Sequence, residues 1–223
     1  MSIKEEKKNN IYNVVILDKS GSMEEIKREA INGYNETLQA IVSAQTKHAE
    51  TQQHFVTLVT FDSESTDTVY DRVPCAEAAK LTNETYQPGS LTPLYDAMGI
   101  TLTKFRNNLD AAADNRILVT IITDGQENAL KEYTGKQIHK MVTELKAQGW
   151  VFAYIGANQN VEEVAKTIAV TNILNFQSSK PGTVKMFKKA KQSRMRFFDR
   201  IAENESSAML QEGFFNDEDC FDV

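Results

Sequence analysis

The chain has 223 residues, of which 41% are hydrophobic and 25% charged, a composition typical of one ordinary globular domain. Its net charge of -6 and isoelectric point near 5.2 argue against general nucleic-acid binding, which needs a broad cationic surface. The two cysteines, Cys75 and Cys220, are far apart and have no further ligands at metal-binding spacing. This pattern predicts reduced thiols, and neither a disulfide framework nor a zinc site.

The N-terminus and the hydrophobic runs bear on where the protein resides. The first ten residues, MSIKEEKKNN, are charged and lack the apolar segment of a signal peptide. No later run approaches the roughly 18 apolar residues of a membrane span. We therefore expect a cytoplasmic protein that makes no membrane contact.

Six short runs rich in strand-forming residues alternate with longer segments of helical periodicity, which predicts an α/β fold. In chain order the runs are IYNVVILD, HFVTLVTFD, TDTVYDRV, RILVTIITD, WVFAYIGA and TNILNF. The first, fourth and fifth are apolar on both faces, as expected of central parallel strands. Only the sequence SES separates the second run from the third, so these two should form an antiparallel hairpin at one edge. The expected fold is a doubly wound, mostly parallel six-stranded sheet with helices on both faces.

Apolar residues at helical spacing mark the inner faces of the helices. The first two stripes are Met23, Ile26, Ala30, Gly33, Thr37 and Ile41, and then Leu94, Met98, Leu102, Phe105 and Leu109. Residues 134–149 and 161–169 are predicted to form the third and fourth helices. A last helix from Pro181 presents Val184, Phe187, Ala190, Phe197 and Ile201 to the sheet. Because the pattern ends at Asn204, we expect one domain of residues 1–204 and an acidic tail of residues 205–223.

Two acidic residues stand where central strands end. Asp18 closes the first run and Asp124 the fourth, and the carboxyl ends of neighbouring parallel strands meet at one rim of the sheet. Ser20 and Ser22 follow Asp18 at alternate positions. Considered singly, Asp124 belongs to an ordinary turn and each serine caps a helix. Together these four residues indicate a site.

A third loop adds a further hydroxyl. Thr92 precedes Pro93 at the start of the second helix, where the ordinary interpretation is a threonine cap with proline at the first helical position. If the hairpin and this helix pack as expected, the loop returns to the same rim. Two carboxylates and three hydroxyls then form a cluster of oxygen ligands. Such a cluster suits Mg²⁺ or Mn²⁺, which prefer oxygen and are usually held by one or two carboxylates.

The spacing of these residues resembles a known family. DKSGS at 18–22, Thr92 and TDG at 123–125 resemble the metal-ion-dependent adhesion site of von Willebrand factor type A domains, the fold shared with integrin I domains. The segment TPLYDAMG at 92–99 is similar to stand-alone bacterial members. The order of predicted elements agrees with the family from about Asn10 to Phe176. The resemblance implies a Rossmann-like fold.

The resemblance also implies a role for each residue. Ser20 and Ser22 would bind the metal through their hydroxyls, and Thr92 would join them in the ligand-binding state. Asp18 and Asp124 would act through bound water, or directly in a closed state. Neutral hydroxyls leave the cation electrophilic, so an Asp or Glu carboxylate of a partner protein can fill the open position. The implied function is a metal-dependent protein-binding module.

Residues beside the motif are expected to play smaller roles. Lys19 and the segment 126–128 lie near the rim and could tune the choice of partner. A solvated surface position is the expected role of each.

A Mg²⁺-dependent enzyme of phosphoryl transfer or hydrolysis is the alternative function. An aspartyl nucleophile needs a second acid nearby as proton shuttle, whereas the residue two after Asp18 is Ser20. The sequence contains no GxxxxGK[ST] and no GxGxxG after a strand. His48, His54 and His139 are scattered over different elements, which favours structural or surface roles. The sequence therefore predicts binding without turnover.

Two charged stretches near the C-terminus leave other partners open. KKAKQSRMRFFDR at 188–200 could meet nucleic acid or an anionic membrane, although its apolar stripe favours packing on the sheet with the lysines in water. The tail acids are Asp217, Glu218, Asp219 and Asp222. Because these are groups that the metal would bind, a tail from the same or another copy could occupy the site and cause weak self-association.

Overall fold

A computed structural model of the chain describes residues 8–110, 114–124, 127–129, 131–157, 161–176 and 180–215. The strands are β1 (Asn9–Asp18), β2 (Gln52–Phe61), β3 (Thr66–Pro74), β4 (Asn115–Thr123), β5 (Val151–Ala157) and β6 (Asn172–Phe176). They form one sheet in the order β3-β2-β1-β4-β5-β6. All neighbouring strands are parallel except β2 and β3, which pair antiparallel at the edge. The fold predicted from the sequence is confirmed.

The central strand β1 shows why the sheet is covered on both faces. Val15 and Leu17 belong to one core cluster, whereas Val14 and Ile16 belong to the other, and all four are buried. Successive side chains of a strand point to opposite faces, so a continuous apolar run needs a helical layer on each side.

The helices supply those two layers. A 3-10 helix (Gly21–Ile26) leads into α1 (Lys27–Lys47), and α2 (Leu94–Asn107), α3 (Gly135–Ala147), α4 (Val161–Thr167), α5 (Lys180–Ala202) and α6 (Ser207–Gln211) follow. Apolar residues of α1, α5 and α6 share one core cluster, and those of α2, α3 and α4 share the other. Within the described part of the chain, none of the helices has the length and apolar character required to cross a membrane.

Two residues of the predicted inner stripes lie elsewhere. Leu109 falls beyond the end of α2 at Asn107 and is only partly buried against the core. Val184 is 63% exposed, because the buried face of α5 begins at Met186 and Phe187. The remaining positions of that stripe, Ala190, Phe197 and Ile201, are buried as predicted.

The packed chain extends further than the boundary expected at Asn204. Helix α6 buries Leu210, and Phe214 packs against Phe197 of α5 with ring centroids 5.8 Å apart. Two of the apolar residues in this segment therefore reach the core. The four tail acids and Cys220 lie outside the described residues.

Candidate metal centre

Asp18 ends β1 and is completely buried at the rim of the sheet. Its Oδ1 accepts a hydrogen bond from the backbone N–H of Ser20 at 2.7 Å, and its Oδ2 accepts one from the hydroxyl of Thr123 at 2.5 Å. Burial raises the pKa of the Asp18 carboxyl to about 6, against the lowering effect of these hydrogen bonds. The carboxylate is thus oriented by its own loop and by the neighbouring strand β4.

Asp124 directly follows β4 and lies against the loop that follows β1. The hydroxyl of Ser22 donates a hydrogen bond to Asp124 Oδ1 at 2.7 Å, and the hydroxyl oxygens of Ser20 and Ser22 are 3.3 Å apart. Burial raises the pKa of Asp124, and the charge of Asp124 adds to the raised pKa of Asp18. The structure therefore brings two carboxylates and two hydroxyls of the predicted set together.

The loop that carries Thr92 is fastened to the same place by its backbone. The N–H of Gly21 donates to the carbonyl of Ser90 at 3.0 Å, and the N–H of Gly89 donates to the carbonyl of Lys19 at 2.7 Å. These bonds join the loop before α2 to the loop after β1. Thr92 itself is 2% exposed, and no hydrogen bond links its hydroxyl to another described residue.

The capping interpretations of the hydroxyl residues are wrong. Helix α2 begins at Leu94 after Pro93, and no side-chain capping bond precedes it. Ser20 precedes the 3-10 helix without a side-chain capping bond, and Ser22 lies inside that helix. The hydroxyls of Ser20 and Ser22 bond to each other or to Asp124 instead.

The supporting roles of three residues were not predicted from the sequence. Thr123 donates to Asp18, the hydroxyl of Tyr86 donates to the Asp18 carbonyl, and the Asn128 side chain accepts from the Thr92 N–H at 2.7 Å. Thr123 could have been noticed as a hydroxyl directly before a strand-ending acid. Tyr86 lies in a loop without any pattern, so no signal pointed to it.

Lys19 and Glu127 are bound within the structure, in contrast to the solvated positions expected for them, whereas Asn128 is exposed as expected. The Lys19 ammonium lies 3.3 Å from Asp62 and 3.0 Å from Asp67, which ties the loop after β1 to the β2–β3 hairpin. The carboxylate of Glu127 accepts from the backbone N–H of Tyr95 at 2.8 Å. These contacts restrict the loops around the cluster and do not offer the Lys19 charge to a partner.

The donor set fits a hard divalent cation. Among the described residues, no three His, Cys, Asp or Glu side chains lie together in a way that could hold a metal ion. The cluster instead combines two carboxylates with neutral hydroxyls, and burial, with a smaller contribution from repulsion by the Asp124 charge, raises the pKa of Asp18. A cation between them would relieve that repulsion, and oxygen donors of this kind suit Mg²⁺.

A comparison with protein families agrees with this geometry. The model of the von Willebrand factor type A domain matches residues 14–194, from β1 into α5. The chain belongs to this family. The matched range includes all five residues of the predicted VWA metal site. No curated protein matches the chain.

Two solved structures of similar fold belong to longer chains, of which this chain covers less than half. Proximal thread matrix protein 1 from the mussel byssus, in a structure with a zinc-occupied MIDAS motif, is 14% identical with a TM-score of 0.55. The match covers 85% of this chain and 46% of that chain. The pilus adhesin SpaC from Lactobacillus rhamnosus GG, in an open conformation, is 10% identical with a TM-score of 0.55, and the match covers 87% of this chain and 31% of that chain. At these identities the similarity concerns the VWA fold alone.

Proposed function

We propose that this VWA domain is a metal-dependent protein-binding module. The observation that carries the proposal is the convergence of Asp18, Ser20, Ser22 and Asp124 at the sheet rim, with the Thr92 loop fastened beside them. The zinc-occupied MIDAS motif of the mussel protein supports a divalent metal at this place in the fold. We assign Mg²⁺ or Mn²⁺ to the site. When bound, the ion supplies an electrophilic position that a carboxylate oxygen can fill.

The charged and the neutral candidate ligands have different roles. Asp18 and Asp124 provide the negative charge that offsets the cost of removing water from a divalent cation. Ser20, Ser22 and Thr92 add neutral oxygens, which leave positive charge for the partner. The partner is a protein that presents an Asp or Glu side chain, and a cytoplasmic location is part of the proposal.

Calorimetric titration with Mg²⁺ and Mn²⁺ tests the metal site. Wild type should bind, and Asp18→Ala and Asp124→Ala should bind far more weakly. Glu64→Ala is the matched control, because Glu64 is exposed in the nearby hairpin loop and its loss changes the net charge equally. Equal binding by all four proteins, or none by wild type, would contradict the assignment.

A second experiment tests the partner chemistry. Protein captured in Mg²⁺ and released by a chelator should lose binding when one of its Asp or Glu residues is replaced by Ala. A captured partner that tolerates every acidic replacement would refute carboxylate recognition and leave the metal site standing.

The enzymatic alternative makes the opposite prediction for turnover. None of the three histidines lies at the cluster: His48 bonds to Asp199, His54 bonds to Gln52, and His139 is exposed on α3. The purified protein should therefore not hydrolyse nucleotides or phosphoesters above background in Mg²⁺. Hydrolysis that disappears in Asp18→Ala would favour the enzyme.

A further inference from the structure

Helix α5 and the chain that follows it carry opposite charge. The helix contains eight Lys or Arg residues and one acid, whereas residues 203–223 contain seven acids and neither Lys nor Arg. In a chain with a net charge of -6, α5 is therefore a local cationic surface. Its anionic complement follows directly in the sequence.

The described part of the acidic segment already folds back onto α5. Arg200 pairs with Glu205 at 2.7 Å and donates to the carbonyl of Glu212 at 3.2 Å. Further along the chain, the carbonyl of Phe214 accepts from Arg196 at 3.3 Å. Successive contacts thus move from the C-terminal end of α5 toward its N-terminal end as the chain proceeds.

A groove on the exposed face of α5 lies ahead on this path. Its lining residues are Lys188, Lys191, Gln192, Met195, Arg196 and Asp199. Asp199, the acid at one end, already bonds to Lys47 at 2.7 Å and to His48 at 2.8 Å. Lys188 and Lys191 are exposed, and neither has an acidic partner among the described residues.

We propose that residues 216–223 dock in this groove, with Asp217, Glu218 and Asp219 against the cations and Phe221 against Met195. Eight extended residues reach up to about 26 Å, whereas the groove from Arg196 to Lys188 is about 12 Å long on the helix. Attachment to the same chain gives the segment a high effective concentration, which favours it over free anions. Because exposed ion pairs are weak and screened by salt, the docking is reversible. The docked segment covers the cationic face and keeps its acids away from the metal centre.

Cys220 provides a native position for a spin label in this segment. Cys75 is buried, so a nitroxide reagent reacts selectively at Cys220, and a Cys75→Ala variant verifies this. In the full chain at low ionic strength, the label should show restricted motion. Restriction should be lost in Lys188→Glu/Lys191→Glu, and also at about 1 M salt, where the Debye length is about 3 Å.

The matched control is Lys140→Glu/Lys166→Glu, which makes the same charge change at lysines that are 80% and 77% exposed on other helices. This variant should keep the restricted label. A label that is mobile in wild type, or that is released equally by both double variants, overturns the proposal.

Other occupants give distinct results, each of which also overturns the proposal. Release of the label by Mg²⁺, which Asp18→Ala abolishes, places the segment at the metal centre. If the motion of the label becomes more restricted as the protein concentration rises, the segment contacts a second copy of the chain. If RNA or phosphatidylserine vesicles bind equally well with and without residues 216–223, the cationic face serves such a partner instead.

Discussion

At the scale of single residues, the orientation of Asp18 depends on partners from distant parts of the chain. One carboxylate oxygen is held by the next loop and the other by Thr123, which lies 105 residues further along. Tyr86 holds the backbone carbonyl of the same residue. If Asp18 binds a metal as proposed, a carboxylate fixed in this way would lose little freedom on binding, which would favour affinity.

Thr123→Val tests this support without changing the shape of the side chain. The variant removes the hydroxyl that donates to Asp18 Oδ2, so we expect roughly 10-fold to 100-fold weaker metal binding, the usual range for lost outer-shell partners. Thr123→Ser keeps the hydroxyl and should bind like wild type. Calorimetric titration with Mg²⁺ measures all three proteins. If Thr123→Ser weakens metal binding as much as Thr123→Val does, the effect comes from packing, and the hydrogen bond does not have the proposed role.

The grouping of Asp18, Ser20, Ser22 and Asp124 at one rim was predictable, because the two acids end neighbouring parallel strands and the serines follow Asp18 at alternate positions. The role of Tyr86 was not predictable, since this residue acts through a hydrogen bond to a residue far away in the sequence. Lys19 was misjudged for the same reason, because Asp62 and Asp67 are brought to it only by the folded hairpin.

At the scale of elements, the close approach of α1 and α5 is set by a glycine. A Cβ built on Gly33 would lie 2.1 Å from atoms of the Phe187 ring, which real contacts do not allow. Phe187 is 5% exposed and belongs to the core cluster that α1 and α5 share. The absence of a side chain at Gly33 therefore makes room for the ring.

Gly33→Ala should destabilise the protein by about 1–3 kcal/mol, the usual cost of overpacking a core. Alanine gains up to about 1 kcal/mol of helix propensity over glycine, which is too little to offset the clash. Gly89→Ala is the control, because a Cβ there meets no atom within 4 Å. Urea unfolding gives the free energies. A Gly33→Ala protein as stable as wild type would show that Phe187 does not pack against α1.

The strands were predicted more completely than the helix ends. Buried parallel strands are marked by apolar runs, and all six predicted strands, including the exposed antiparallel β3, appear in the structure. Helical periodicity shows which residues can share a face but not where a neighbour covers that face. Val184 was therefore assigned to the core, and α6 was left in the tail.

At the scale of the whole molecule, stability depends on polar groups buried between the sheet and α5. Arg194 is 2% exposed and donates to Asn13 at 3.3 Å and to Thr120 at 2.8 Å. His54 is 1% exposed, and its Nε2 lies 2.9 Å from the Gln52 side chain. Burial, with the charges of His48 and Arg194, lowers the pKa of His54 to about 3.

This low pKa predicts a loss of stability in acid. Between the ordinary histidine pKa of about 6.5 and the folded value, the unfolded chain binds a proton that the folded chain does not. The contribution of His54 to the free energy of unfolding therefore falls with decreasing pH, by up to about 1.4 kcal/mol per pH unit. His54→Gln should unfold with a shallower dependence between about pH 7 and about pH 5, and the exposed-site control His139→Gln should match wild type. Urea unfolding at several pH values measures these free energies. If all three proteins show the same dependence on pH, His54 binds its proton in the folded state as readily as in the unfolded chain, and the prediction is wrong.

The proposed metal site would couple the rim to the stability of the entire domain. A cation that binds the folded cluster and not the unfolded chain stabilises the fold by mass action, by about 2.7 kcal/mol at a concentration 100 times the dissociation constant. For a domain of this size each kcal/mol raises the melting temperature by roughly 2–4 °C, so the shift is readily measured by thermal unfolding in Mg²⁺ or Mn²⁺. Asp18→Ala should lose this shift, whereas Glu64→Ala should keep it. NaCl at equal ionic strength separates site binding from screening of the net charge. If NaCl raises the melting temperature as much as Mg²⁺ does, or if Asp18→Ala responds like wild type, the stabilisation does not come from this cluster.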